Sequence, residues 1–371
     1  MDIVIIAGEV SGDLLGSKLA DALKKLDKTI TLSGIGGQSM RRAGVETLFD
    51  VGETSVIGIA EVVRHYPRLR RILSSIKKHI KRRRPDLLVL IDYPEFNLKL
   101  SYYAKQLGIK VMFYVSPQVW AWRTGRIKKI KKCIDLMAVL FPFELDFYQK
   151  ENVPVCLVRH PLLDDIDATY TSSSTSSTQG TTLGLLPGSR NSEIKKLLPV
   201  MIEAANKLFK QDPTIKFILP VAPGINIDEL KYYNSYNLPI RYQKGNFYGA
   251  LKQCDIVSIA SGTATLQAAL MGKAMVVIYK ISPITYKLFG HMVKVEHICL
   301  ANIILNKRAY TELIQGSANA DALATSLSEI INNHEIEQIT LKNRAEIYAK
   351  LNSGINSKEL AQRAIELINQ R

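Results

Sequence analysis

Residues 3–26 read IVIIAGEVSGDLLGSKLADALKKL, an apolar run followed by a glycine-rich turn and an amphipathic stretch. The run Ile3–Ala7 lacks the alternation of a half-buried strand, which favours a strand buried on both faces of a parallel sheet. Leucines and alanines then recur at helical spacing between Leu14 and Leu26. This stretch therefore predicts the strand–turn–helix unit from which parallel α/β sheets are built.

The same pattern recurs along the chain. Nine further apolar runs predict strands: Thr29–Gly34, Leu87–Ile91, Lys110–Val115, Met137–Phe141, Val155–Val158, Thr182–Leu186, Lys216–Pro220, Asp255–Ala260 and Ala274–Tyr279. Helical patterns lie between them, as at Ile194–Phe209. Such strand–helix alternation indicates doubly wound parallel sheets.

A Ser/Thr-rich segment separates two series of strands. Residues 169–182 read TYTSSSTSSTQGTT, which offers little to bury and is typical of an exposed linker. We therefore expect an N-terminal domain over 1–168, this linker over 169–182 and a C-terminal domain over 183–340, with a cleft between the domains. Helices in 341–371 are expected to pack back on the N-terminal domain. A long loop within a single domain is the alternative.

The composition places the protein among ordinary globular chains, with 371 residues, 47% of them hydrophobic and 22% charged. Its four cysteines are far apart and have no metal-ligand spacing, which indicates reduced thiols and no metal site. The longest apolar run, Leu136–Phe143, is too short to span a bilayer. The N-terminus lacks the basic start of a secretory signal, so we expect a cytoplasmic protein.

The net charge of +15 comes from two segments. Residues 64–84 contain ten Lys/Arg and 123–132 contain six, whereas the rest of the chain has 33 basic and 34 acidic residues. Because 56–84 is also rich in apolar residues, an anionic membrane surface is the favoured partner. A core helix with a solvated basic face is the alternative. Nucleic acid is not expected, since no recognised binding motif accompanies the charge. Pro67 is expected to split the segment into two helices.

Carboxylates follow two of the predicted strands in the N-terminal half. Glu9 and Ser11 lie in the turn after the first strand, where Asp13 is expected to cap a helix, and Asp92 directly follows Leu87–Ile91. Ligands of parallel sheets bind beyond the carboxyl ends of the strands. An acid placed there costs desolvation, and a general base for a sugar hydroxyl would explain it. A structural hydrogen bond to a neighbouring loop is the alternative.

Polar and aromatic side chains follow the next strand, in YVSPQVWAWR at 114–123. Ser116, Gln118 and Trp120 offer edges that suit a sugar, although core packing would also explain the tryptophan.

Two glycine turns lead from strands into helices in the C-terminal half. They contain Gly188, Ser189 and Arg190 in one case and Ser261, Gly262 and Thr263 in the other. Unpaired N–H groups at such turns bind anions, and the arginine adds a charged fork. Neither turn has the dinucleotide or Walker A spacing. Together they indicate a diphosphate ligand, with a pair of ordinary capped helices as the alternative.

In combination these motifs resemble the lipid-A-disaccharide synthase family, inverting glycosyltransferases of the GT-B type with two Rossmann-like domains. The matching stretches are AGEVSGD (7–13), DYPEFN (92–97), VSPQVWAWR (115–123), HPLLD (160–164), LLPGSR-x-x-E (185–193), ASGTATL (260–266) and LANI (301–304). They occur in family order over most of the chain, and VSPQVWAWR with LLPGSR is the most specific pair.

The resemblance implies that UDP-2,3-diacylglucosamine and 2,3-diacylglucosamine 1-phosphate (lipid X) are joined to a lipid A disaccharide with release of UDP, without metal or cofactor. It implies a Gram-negative enzyme peripheral on the inner membrane, with the acyl acceptor on the N-terminal domain and the UDP donor on the C-terminal domain. Asp92 would be the base, with Glu9 as second candidate.

The resemblance also implies a set of UDP-binding residues. They are Gly188, Ser189, Arg190, Ser261, Gly262, Thr263, Gln267, Asn302, Glu312 and Gln315. Three positions depart from the family pattern. Arg159 replaces a usual glycine, Gln267 a glutamate and Thr311 a proline. The rival functions are another GT-B UDP-sugar transferase with a lipid acceptor and a non-enzymatic basic membrane-binding protein.

Overall fold

The computed structural model describes residues 1–54, 59–117, 119, 124–170, 180–280 and 296–370, and the side chains of all these except 59–65, 124 and 170. The chain divides into two compact units. Unit 1 comprises Met1–Pro161 with Leu351–Arg371, and unit 2 comprises Leu162–Lys350.

Unit 1 contains a seven-stranded parallel sheet in the order β3-β2-β1-β4-β5-β6-β7. The strands are β1 Asp2–Ala7, β2 Thr31–Gly36, β3 Glu46–Asp50, β4 Leu87–Ile91, β5 Lys110–Tyr114, β6 Leu136–Val139 and β7 Val155–Leu157. The helices of its first segment are α1 Val10–Leu26, α2 Gln38–Arg42, α3 Val51–Thr54, α4 Ile59–Arg83, α5 Pro94–Gln106, α6 Ile127–Cys133 and α7 Pro142–Lys150.

Unit 2 contains a six-stranded parallel sheet in the order β10-β9-β8-β11-β12-β13. The strands are β8 Thr182–Leu186, β9 Lys216–Val221, β10 Ile240–Lys244, β11 Ile256–Ala260, β12 Ala274–Tyr279 and β13 Thr311–Ile314. Its helices are α8 Leu162–Tyr170, α9 Asn191–Gln211, α10 Ile227–Tyr232, α11 Phe247–Gln253, α12 Thr263–Leu270, α13 Leu300–Leu305, α14 Ala320–Ile331 and most of α15 Ile336–Asn352. The last helix, α16 Ser357–Asn369, belongs to unit 1.

The core of unit 1 lies on both faces of its sheet. On one face Ile3 and Ile5 of β1 belong to a buried cluster with Leu19 of α1 and Leu360 of α16. On the other face Val4 of β1 joins a cluster built from α4 to α7. Because neighbouring residues of one strand are buried on opposite faces, the strands carry unbroken apolar runs.

The expected break at Pro67 is wrong, because α4 runs as one helix from Ile59 to Arg83 with Pro67 inside it. Proline removes a backbone donor but its fixed φ matches a helix, so the helix can continue around it. Further along α4, Ile72, Ile76 and Ile80 are buried against the sheet. This half of the segment is therefore a core helix whose cations face outward.

Three strands were not anticipated, namely β3, β10 and β13. Each is an edge strand of its sheet. Edge strands are covered on fewer sides, and here the sequences ETLFD and IRYQK carry polar residues that face solvent. They consequently lack the apolar run by which the inner strands were predicted.

Both sheets reverse their strand order at one point. In unit 1 the reversal lies between β1 and β4, and in unit 2 between β8 and β11. Loops on either side of such a reversal diverge and leave a crevice at the carboxyl ends, where ligands of open α/β sheets bind. The topology therefore selects the loops after these four strands as candidate sites.

Candidate functional site

In unit 1 the reversal point carries two carboxylates. Glu9 follows β1 and precedes the first residue of α1, where it is exposed, and Asp92 follows β4 and is half-buried. Burial raises the pKa of the Asp92 carboxyl above its usual range; a backbone hydrogen bond from Tyr93 opposes the rise and the negative charge of Glu9 adds to it. The two acids are thus electrostatically coupled, as expected for a base with a raised proton affinity.

The backbone around Asp92 is strained. Asp92 and Tyr93 have φ values of 48° and 51°, and Val115, after the neighbouring strand β5, has φ 68°. Left-handed conformations are costly for non-glycine residues, above all for β-branched valine, and such strain accumulates at functional sites. Buried Asn97 holds the loop by donating from Nδ2 to the carbonyl of Asp92 at 2.7 Å and to that of Ile91 at 3.2 Å.

The loop after β1 packs tightly against this strained turn. A Cβ atom at Gly8 would lie 2.4 Å from the Tyr93 ring, so only glycine fits there. The Tyr93 hydroxyl donates to the carbonyl of Thr54, whose own hydroxyl donates to the carbonyl of Gly8. These contacts fix the position of Asp92 relative to the segment that bears Glu9.

The residues predicted to lie on the acceptor side differ in their structural environment. Ser11 is exposed in the first turn of α1. Ser116 is buried, and its hydroxyl donates to Oε1 of Glu144 at 2.6 Å, which ties the loop after β5 to the start of α7. Gln118 and Trp120 lie outside the described residues. Asp13 caps a helix, though not its own: it sits within α1, and its carboxylate accepts the N–H groups of 37, 39 and 40 at the start of α2.

Unit 2 has a cavity of about 460 Å³ at its own reversal point. Its walls come from the loops after β8, β9, β10 and β11 and from the first turns of α9 and α12. Seven of the predicted UDP-binding residues line it: Gly188, Ser189, Arg190, Ser261, Gly262, Thr263 and Gln267. A volume of this size suits a small organic ligand.

Two glycines shape this cavity. Gly188 has φ 107°, a conformation that favours glycine. A Cβ atom at Gly262 would meet nothing within 4 Å among the described atoms, so a ligand can approach that backbone closely. Gly262 precedes α12, whose first N–H groups have no side-chain cap. Both turns therefore have the geometry of anion-binding loops.

The arginine of the first turn is paired with a carboxylate. Arg190 Nη1 lies 2.9 Å from Oε1 of Glu193, and the Arg190 side chain is 67% exposed. Oε2 of Glu193 accepts the backbone N–H groups of Ser189 and Arg190 at 3.2 and 3.4 Å. Arg190 and the two backbone N–H groups thus bind a carboxylate of the protein itself, that of Glu193.

Gln267 lines the cavity from α12. Its Nε2 donates to the hydroxyl of Tyr248 at 2.9 Å. The amide is thereby oriented by a neighbouring helix, α11.

Asn302 and Glu312 do not line the cavity but form a buried network beside it. Asn302 donates from Nδ2 to Glu312 and to the carbonyl of Tyr310, and Glu312 accepts the N–H groups of Ile298 and Cys299. Ser261 donates its hydroxyl to the carbonyl of Ile298 at 2.9 Å. The network therefore supports the second glycine turn from behind.

Gln315 directly follows β13 and has φ 55°, and its Nε2 is buried without a hydrogen-bond partner among the described residues. It too is absent from the cavity lining.

The structure also describes Arg159 and Thr311, two further positions that the sequence analysis singled out. Arg159 donates its backbone N–H to the carbonyl of Ile355, and a close backbone approach occurs at Gly354, whose Cβ would lie 2.5 Å from the Arg159 nitrogen. Thr311 is the first residue of edge strand β13, a place that accepts proline or threonine.

No role was predicted for Glu193, the last residue of the stretch LLPGSR-x-x-E, or for Tyr248. Glu193 had a usable signal, because it stands three residues after Arg190, the residue that precedes α9, and this is the position of a capping-box acid. Tyr248 had none, since its partner Gln267 lies on another helix.

Two doubly wound parallel sheets, one in each unit, are the architecture of the GT-B fold. Two solved structures match the whole chain. One is a UDP-GlcNAc 2-epimerase from Neisseria meningitidis bound to UDP-GlcNAc (TM-score 0.61, 12% identity, 100% of both chains). The other is a ugt transferase from Siraitia grosvenorii in complex with UDP (TM-score 0.61, 11% identity, 100% of both chains). At these identities the likeness concerns the fold alone.

The family model of lipid-A-disaccharide synthetase matches residues 3–365. The lipid-A-disaccharide synthase of Geobacter metallireducens is 40% identical over 375 residues, which cover 100% of this chain and 98% of the relative. This chain belongs to the lipid-A-disaccharide synthetase family. The predicted family and the predicted α/β GT-B fold are confirmed.

The described residues contain neither a membrane-crossing helix nor a cluster of metal-ligating side chains. None of their helices combines the length and the hydropathy needed to cross a bilayer. Within the same residues, no three His, Cys, Asp or Glu side chains are grouped so as to hold a metal ion.

Proposed function

We propose that this protein is a lipid-A-disaccharide synthase that joins UDP-2,3-diacylglucosamine to 2,3-diacylglucosamine 1-phosphate. The observation that carries the proposal is the family match across residues 3–365. The acceptor binds at the reversal point of unit 1, and the UDP donor binds in the cavity of unit 2.

The chemical step is a single displacement. The 6-hydroxyl oxygen of the acceptor attacks the anomeric carbon of the donor, the bond from that carbon to the diphosphate breaks, and UDP leaves with the electron pair. Asp92 takes the hydroxyl proton, so one carboxylate suffices and the anomeric carbon inverts. Arg190 and the N–H groups of the two glycine turns stabilise the charge that develops on the departing diphosphate.

Exposed apolar side chains beside Glu9 support an acylated acceptor. Val10 and Leu14, one helical turn apart on α1, are 75% and 49% exposed. Residues at this spacing lie on one face of a helix. An acyl chain lying along that face would bury both side chains.

Activity with defined substrates tests the proposal. The purified protein should release UDP and form the disaccharide 1-phosphate, measured by mass spectrometry, only when both diacylated sugars are present. Turnover of UDP-N-acetylglucosamine with a different lipid acceptor would instead support the rival GT-B transferase. No turnover with any sugar nucleotide, together with normal vesicle binding, would favour the non-enzymatic alternative.

The coupling between Glu9 and Asp92 predicts a pH effect. A base must be deprotonated, so kcat/KM should fall as the pH drops through the raised pKa of Asp92. Replacing Glu9 by Gln removes a like charge, which lowers the pKa of Asp92 and moves this acid limb to lower pH. The measurement is a pH profile of kcat/KM for wild type and Glu9→Gln, with exposed Glu151→Gln as the matched control.

One outcome of this experiment would assign the role of the base to Glu9 instead of Asp92. Loss of activity at every pH in Glu9→Gln, with Asp92→Asn still active, would make Glu9 the base.

We further propose that unit 1 rests on an anionic membrane. The two basic segments are distant in sequence, but α5 packs against both α4 and α6, so their described parts lie on the same face of the sheet. Exposed cations on this face are Arg70, Arg71, Lys78, Lys81, Lys128, Lys129, Lys131 and Lys132. Residues 55–58 and 121–123 and the side chains of 59–65 lie outside the described part of the chain. Both substrates carry acyl chains, which gives a membrane-facing cationic surface a purpose.

Removing charge from this face should weaken vesicle binding. Each basic residue near an anionic surface contributes about 1 kcal/mol. We therefore expect Arg70, Arg71, Lys78 and Lys81, all changed to Gln, to reduce partitioning onto phosphatidylglycerol vesicles by at least about 10-fold. Sedimentation measures the partitioning.

The control variant carries the same charge change on unit 2. It replaces four exposed lysines by Gln: Lys195, Lys196, Lys210 and Lys342. Equal losses in the two variants would attribute binding to net charge and contradict a membrane-facing surface on unit 1.

A further inference from the structure

The carboxylate of Glu193 lies against the atoms expected to bind the donor's diphosphate. It accepts the backbone N–H groups of Ser189 and Arg190 and pairs with the Arg190 guanidinium. Gly188 closes over it, since a Cβ atom there would lie 2.3 Å from Glu193 Oε2. The first glycine turn therefore already encloses an anionic oxygen, with the donors that a phosphate would require.

We propose that Glu193 occupies the diphosphate subsite of the free protein and is displaced from it when a nucleoside diphosphate binds. The inference rests on the proposed use of this cavity for a UDP-sugar. It adds to that proposal a residue that sets donor affinity by competing with the ligand inside the site.

The contacts of Glu193 are weak enough to be exchanged. Its two backbone hydrogen bonds measure 3.2 and 3.4 Å, whereas charge-assisted bonds of this kind are normally 2.7 to about 2.9 Å long. Its ion pair with Arg190 is solvent-exposed on the arginine side, and such pairs contribute little. A diphosphate brings more charge and more acceptor oxygens to the same donors.

Within the described part of the chain, Glu193 makes one ion pair, with Arg190. Tyr279, at the end of β12, is close enough to feel both charges: burial mainly raises its pKa, Glu193 raises it further and Arg190 lowers it. Once the diphosphate holds Arg190, Glu193 faces a like charge, and a rotation toward solvent relieves the repulsion.

The direction in which the UDP affinity changes when Glu193 is replaced tests this inference. If the carboxylate blocks the subsite for most of the time, its removal raises the apparent affinity by the reciprocal of the open fraction. Calorimetry should show that Glu193→Gln binds UDP about threefold or more tightly than wild type does. Uridine, which has no phosphate, should bind both proteins equally.

Glu203→Gln is the matched control, because Glu203 is an exposed acid further along α9 and loses the same charge. It should leave the UDP affinity within about twofold of wild type. Glu193→Ala, checked for folding by its melting temperature, should change the affinity in the same direction as Glu193→Gln.

The opposite results overturn the inference. Unchanged or weaker UDP binding in both Glu193 variants would mean that the acid organises the turn and stays in place, and equal tightening in Glu203→Gln would reduce the effect to net charge. Absence of UDP binding in wild type would overturn both this inference and the donor site. Normal UDP binding with the expected affinity change, but no turnover of diacylated sugars, would contradict only the proposed function.

Discussion

Asp92→Asn should lower kcat by about 10³-fold, the range expected when a positioned general base is lost. The amide has the shape of the carboxylate and can keep the turn around φ 48°, since asparagine tolerates left-handed backbone. It cannot accept the proton of the acceptor hydroxyl. UDP affinity should be unchanged, because the residues that line the described cavity all belong to unit 2.

Initial rates with both diacylated sugars and calorimetry with UDP measure the two effects. Asp146→Asn, an exposed aspartate on α7, is the control for the loss of one charge on unit 1. A kcat within about threefold of wild type would remove Asp92 from the chemistry, since general-base catalysis contributes at least 10². The same kcat loss with a matching fall in melting temperature would indicate damage to the fold instead.

Arg190→Ala should reduce kcat/KM by about 10²-fold and weaken UDP binding. Two effects add in this variant. The cation that stabilises the departing diphosphate is lost, and Glu193 is left without its partner beside the ligand's negative charge. Arg190→Lys should lie between alanine and wild type, because lysine keeps the charge but not the bidentate geometry.

The second effect can be separated from the first. Adding Glu193→Gln to Arg190→Ala should recover part of the lost UDP affinity, since the unpaired acid is removed. Arg241→Ala, an exposed arginine on edge strand β10, is the control. Unchanged kinetics in Arg190→Ala would exclude Arg190 from the donor site and leave the anion-binding role to the turn at Ser261.

The inner strands were predictable because burial on both faces leaves a mark in local sequence. The predicted bounds of Leu87–Ile91, Thr182–Leu186 and Ala274–Tyr279 agree with β4, β8 and β12. Edge strands such as β3 and β10 have no such mark, since solvent reaches one of their faces and polar residues are accepted.

The loops that carry the candidate sites were also predictable from local sequence. A polar residue directly after a buried strand must lie at the carboxyl end of the sheet, which is how Asp92 and the turns at Arg190 and Ser261 were found. Those residues now flank the reversal points of the two sheets. Local sequence did not reveal whether a polar group is available to a ligand. The hydroxyl of Ser116 and the amide of Asn302 are both engaged inside the protein.

The amino-acid sequence alone determined the fold class, the family and the loops that carry chemistry, because each depends on short-range patterns or on motifs read in order. Tertiary structure decided which side chains are committed to internal bonds, and it placed Gln267 against Tyr248 and Glu9 near Asp92. Such contacts depend on how strand ends and helix starts are brought together in space. Hydrogen bonding between residues many positions apart leaves no periodic signal in the chain, so only the folded molecule distinguishes a ligand-binding group from a structural one.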